Sequence, residues 1–157
     1  MKTRKSTCFL LLIGLVSYIA CAQQSDYQPK RVNKCVELWI DNQPVYYVNA
    51  YGGYEEGKDL ARTWADYITY NMEHNPLDFT LLREFMKGLV DGGPTPSGHR
   101  TPTVIAVLPG TALDVQSIKA SLWMIQQALA QGVHGVSICR ARDPEAIRLV
   151  AQAIRYP

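Results

Sequence analysis

"TVIAVLP", residues 103–109, is continuously apolar, and its reading decides the fold. A short uncharged run rich in β-branched residues and closed by a proline predicts a strand covered on both faces, as inner strands of a parallel sheet are. Directly after it, "DVQSIKASLWMIQQALAQG" (114–132) places Val115, Ile118, Leu122, Ile125 and Leu129 in helical register and stops at Gly132, a C-terminal cap. Strands joined through a crossover helix run the same way, so this strand–helix pair is the unit of a parallel sheet.

The same unit repeats on both sides. Downstream, "GVSICRA" (135–141) reads as a strand, and "DPEAIRLVAQAIRYP" (143–157) as a helix with Asp143 as N-cap and Pro144 at its first position. Upstream, "DYITYNM" (66–72) precedes "DFTLLREFMKGLVDG" (78–92), where Asp78 caps a helix whose Leu82, Phe85, Met86 and Leu89 share one face. Before that, "PVYYVNAY" (44–51) and "YEEGKDLARTW" (54–64) form the first strand and helix. A helix over "RVNKCVELWID" (31–41), with Val32, Val36 and Trp39 on one side, opens the domain. The expected fold is therefore α/β: one helix, then a parallel (βα)4 array at a spacing of about thirty residues, the size of one βαβ crossover. Two architectures fit, an open doubly wound sheet and half of a (β/α)8 barrel. The turn "YGGYEEG" after the first strand lacks the G-x-G-x-x-G spacing of a dinucleotide binder.

The start of the chain reads as an address. Lys2, Arg4 and Lys5 precede an apolar run from Cys8 to Val16, and Ala20-Cys21-Ala22 offers a cleavage site, so residues 1–22 are expected to be a secretory signal and 23–30 a linker. The expected location is periplasmic or extracellular; the alternative is a lipoprotein anchored through Cys21. The remaining residues, 31–157, make one domain. With a formal net charge of +2 and scattered basic residues, the chain shows no footprint for nucleic acid. Cys35 and Cys139 form no framework, and Cys139 reads as a buried free thiol. No local spacing suggests a metal site.

Chemistry in either architecture collects at the carboxyl ends of the strands. "YNMEHNPLD" (70–78) lies at such an end, and Asn75-Pro76 favours a turn that swings His74 over the edge. His99, in "DGGPTPSGHRTP", and His134 precede strands and so fall on the opposite face, where they read as structural.

The segment 66–89, with a strand ending in Asn71-Met72-Glu73-His74, resembles the second βα unit of the HpcH/HpaI aldolase and citrate lyase family, whose pattern there is Asp-x-Glu-His. "RVNKCVELWIDNQPVYYV" resembles that family's first helix and strand, and "WMIQQALAQGVHGVSICRARDPEAIRLVAQAIRYP" its third helix and fourth unit. The resemblance implies a (β/α)8 barrel that makes or breaks a carbon–carbon bond in small 2-oxo acids. A divalent ion, Mg or Mn, would stabilise the pyruvate enolate. It further implies His74 as the base, Glu73 as its supporting acid, and Asn71 in place of the family's Asp that orients the histidine. No arginine ends strand three, and Arg140 at strand four is the substitute expected to bind substrate. The family's metal carboxylates lie on later strands that this chain does not contain. The expectation is half an enzyme, inactive by itself, completed by a second copy or by a complementary half-barrel chain. The alternative is an exported non-catalytic binding domain.

Overall fold

The computed structural model describes residues 31–155. The expected signal segment and linker, 1–22 and 23–30, lie outside the described residues. The elements run α1 (Lys34–Ile40), β1 (Tyr47–Ala50), α2 (Tyr54–Leu60), β2 (Tyr67–Asn71), α3 (Phe79–Asp91), β3 (Thr103–Thr111), α4 (Val115–Leu129), β4 (Gly135–Cys139) and α5 (Pro144–Ala153). One helix followed by four strand–helix units is the order the sequence leads one to expect.

The four strands form one sheet in the order β1-β2-β3-β4, every pair parallel. That order separates the two architectures. A doubly wound sheet reverses its winding at a switch point and so places helices on both faces. Here each crossover steps in the same direction, and right-handed crossovers then lay the crossover helices α2, α3 and α4 on one face. Burial agrees. Ala50, Ile68, Tyr70, Val104, Ala106 and Leu108 join Phe85, Leu89, Ile118 and Ile125 in the core, whereas the alternate residues Tyr47, Asn49, Thr69, Ile105, Val107 and Ser137 are half-buried or exposed. The fold is α/β with a parallel four-stranded sheet, an arrangement compatible with half of a (β/α)8 barrel.

This corrects the reading of β3. The strand was expected to be buried on both faces, but of its apolar side chains only Val104, Ala106 and Leu108 are fully buried. Ile105 and Val107 face the side that no described helix covers, and apolar sequence alone does not say whether a second layer exists.

The helix caps follow the sequence. The Asp78 carboxylate accepts the N–H groups of Thr80 and Leu81, both at 2.9 Å, and Asp143 accepts that of Glu145 at 2.9 Å. Helices α2 and α3 touch backbone to backbone through Gly57 and Gly88. A Cβ on Gly57 would lie 2.1 Å from the Phe85 carbonyl oxygen, and one on Gly88 would lie 2.0 Å from that of Tyr54. Neither position has room for a methyl group.

Helix α1 departs from expectation. Val32 is 84% and Trp39 64% exposed, and the buried residues are Cys35 and Glu37. Polar anchors set this orientation. Asn33 caps the helix and accepts the Thr103 hydroxyl at 3.0 Å, and Lys34 pairs with Asp66 at 2.5 Å.

Candidate functional site

The carboxyl ends of β1–β4 gather Asn71, Glu73, His74, Cys139 and Arg140. Asn71 is the last residue of β2, and its Oδ1 accepts the N–H groups of Glu73 at 3.0 Å and His74 at 3.1 Å. Its carbonyl takes the Asn75 side-chain amide at 3.1 Å. Asn71 thus builds the turn out of the sheet. A short polar side chain suits this task because it can satisfy the backbone where strand pairing ends.

The turn sets Glu73 and His74 side by side. His74 Nε2 lies 3.5 Å from Glu73 Oε2, with the imidazole largely exposed and the carboxylate mostly covered. The same Oε2 accepts the Cys139 thiol at 2.8 Å. One carboxylate oxygen is therefore shared by the adjacent imidazole and by a thiol 66 residues from Glu73 in sequence. The negative charge of Glu73, acting mainly through this hydrogen bond, holds the Cys139 thiol above its ordinary pKa. The thiol is kept protonated, so the cluster is an acid–base pair with a bound donor rather than an activated nucleophile.

Arg140 follows Cys139 at the end of β4. It is exposed and adopts a left-handed backbone with φ of 55°. Its guanidinium makes no ion pair with Glu73 among the described residues, so the structure places Arg140 on the same edge as the Glu73–His74 pair without joining it to them.

Other acidic groups at this edge are engaged locally. Asp78, Asp114 and Asp143 cap helices, and Glu56 accepts the backbone N–H groups of Tyr51 and Gly52. The last contact fills the glycine turn after β1 with the chain's own carboxylate, which removes it as an anion cradle. Among the described residues no group of three His, Cys, Asp or Glu side chains is arranged to hold a metal ion.

Cys139 is the residue that sequence reading left out of the site. The register carried the signal. Asn71 pairs with Val107, and Val107 with Ser137, so β2 and β4 end at the same edge, while a register shift after Leu108 sets Cys139 opposite Thr111 and within reach of Glu73 in the turn beyond β2.

At the amino-terminal face, His99 is buried, its Nδ1 3.1 Å from the Ser97 hydroxyl and its Nε2 3.5 Å from Glu37 Oε1. His134 accepts the Val104 N–H at Nδ1, 3.0 Å away, and burial holds its pKa below the usual imidazole value. Both belong to the packing of that face. Cys35 and Cys139 are free thiols near opposite ends of the sheet. Among the described residues no helix is long and apolar enough to cross a membrane. No family model matches this chain, and comparison with curated proteins gives no match.

Proposed function

We propose that this chain is half of a barrel of the carbon–carbon lyase type, shaped to hold a small 2-oxo acid at its carboxyl edge, and that it performs no aldol cleavage by itself. The observation that carries this reading is the sequential parallel sheet with the Glu73–His74 pair at the carboxyl end of its second strand. Barrel enzymes keep their proton-transfer groups at such ends. In this role His74 would accept the hydroxyl proton of the substrate, Glu73 would hold the resulting imidazolium, and Asn71 would fix the turn that presents both. Arg140 would bind the carboxylate of the 2-oxo acid.

The family chemistry also calls for Mg or Mn, ions that take several oxygen ligands. The residues present do not fit one. Among the described residues no three His, Cys, Asp or Glu side chains converge, and the Glu73 Oε2 already receives the Cys139 thiol. For this reason the chain alone is assigned binding and proton transfer without carbon–carbon cleavage. Export through residues 1–22 belongs to the same proposal.

Titration with pyruvate, followed by backbone amide NMR, tests it. The expected result is saturable shifts at residues 71–74 and 139–140 that Arg140→Ala removes, with no pyruvate release from an aldol substrate in the presence of Mg or Mn. An edge that does not respond to pyruvate would overturn the reading. It would favour instead an exported interaction domain, which the Glu73–Cys139 contact and the uncharged open face of the sheet support.

A further inference from the structure

On the opposite side of the molecule, a groove of about 650 Å³ runs between α3, the 100–101 segment and the turn before β4. Arg83, Met86, Lys87 and Val90 line it from one stripe of α3, at the spacing of a single helix face. Arg100 and Gln131 line it from the facing segments. Its volume falls in the range of small-molecule sites, which combine apolar walls with a few polar groups.

The charges are unbalanced. Arg83 uses its Nε to bond Gln131 Oε1 at 2.9 Å, and neither Arg83 nor Arg100 forms an ion pair among the described residues. Lys87 pairs with Glu84 at 2.7 Å on the exposed side of the helix. One acid, Asp91, also lines the groove, and its Oδ2 accepts the Tyr54 hydroxyl at 3.0 Å. His134 adds a donor. Its Nδ1 accepts a backbone N–H, so in the neutral ring the other nitrogen carries the proton.

The loop chemistry explains why this groove is not visible in the sequence. In "SGHR" the histidine turns inward toward Glu37, while Arg100, the next residue, reaches the groove. Serine, histidine and arginine are therefore split between two surfaces and do not form one anion loop.

We propose that this groove binds an organic phosphate, with the phosphate head between Arg83 and Arg100 and an apolar body against Met86 and Val90. Two guanidiniums present planar pairs of donors that match phosphate oxygens. The proposal is independent of the carboxyl-edge site.

Isothermal titration with hexyl phosphate tests it, with inorganic phosphate and hexanol as the two halves of the probe. Hexyl phosphate is expected to saturate one site and to bind about tenfold tighter than either half, since head and body are both recognised. Arg100→Ala and Arg83→Ala are each expected to weaken binding about tenfold, the scale of one charge-assisted contact. Both residues are exposed, so circular dichroism of the variants should be unchanged. Amide shifts should map to residues 83–91, 100–101 and 131–134. Binding no tighter than that of inorganic phosphate, binding unchanged in both variants, or shifts confined to residues 71–74 and 139–140 would each overturn the proposal.

Discussion

Glu73 is the residue on which the carboxyl edge turns, because one of its oxygens serves both His74 and Cys139. Removing its charge while keeping its shape separates the two partners. In Glu73→Gln the Cys139 thiol loses the carboxylate that raises its pKa, so alkylation of Cys139 by iodoacetamide at mildly alkaline pH should speed up severalfold. An unchanged rate profile would show that the hydrogen bond does not govern the thiol. A second residue prediction concerns His134, whose folded pKa lies below its unfolded value because of burial. The unfolded chain then binds the proton more readily, so stability is present above about pH 6.5 and is lost as pH falls below it. The urea midpoint should therefore drop between about pH 7.5 and about pH 5.5, and His134→Gln should flatten that difference. At this scale the sequence was informative wherever local chemistry decided the outcome. Asp78 and Asp143 stand as caps in the sequence and in the structure alike. Cys139 was missed because its partner comes from another strand, and only the sheet register brings them together.

Among the elements, α3 was legible because it writes its buried stripe in apolar residues, whereas in α4 Ile118 and Ile125 are buried as expected but Ser121, Met124 and Ala128 complete the face in place of Val115, Leu122 and Leu129. Leu82, Phe85, Met86 and Leu89 of α3 are all buried, as their spacing requires. Helix α1 was misread for the converse reason. Its buried side is Cys35 and Glu37, held by polar contacts to residues of distant segments, and hydrophobic periodicity has no access to such contacts. The α2–α3 contact carries the sharpest prediction at this scale. Gly88 packs so closely on the Tyr54 carbonyl that any side chain must part the two helices. Gly88→Ala should cost about 3 kcal/mol or more, at the upper end of the overpacking range, since the obstructing atoms are backbone and cannot rotate aside. Asp78→Ala, which removes only a cap, should cost about 1 kcal/mol. Chemical denaturation of the two variants should preserve that order. If Gly88→Ala proved as mild as the cap loss, the backbone contact between α2 and α3 would not be as close as described.

At the level of the whole molecule, the parallel array was legible but its one-sidedness was not, because an apolar strand reads the same with one layer or two. Among the described residues the consequence is a sheet with an open face and two unpaired edges. Residues 47–50 of β1 and 135–139 of β4 contain no charged side chain and no proline, the usual means of protecting an edge. The open face carries Tyr47, Asn49, Thr69, Ile105, Val107 and Ser137, none of them charged, so two copies could meet there without like charges in contact. A two-fold axis along the strand direction would set β4 of each copy beside β1 of the other, with all strands parallel. Eight strands is the number at which such a barrel is filled by its own side chains. We therefore expect self-association at micromolar concentration, with a melting temperature that rises with protein concentration as mass action requires. Ser137→Lys provides the test. Ser137 is exposed in one copy, so the substitution should leave the isolated fold intact, but in the closed assembly it would bury two like charges without partners. Sedimentation velocity should show the wild type shifting toward the dimer and the variant remaining a monomer. A wild-type chain that sediments as a monomer, melts independently of concentration and binds no apolar dye would mean that the open face is stable in water, and the closed barrel would then have to be abandoned.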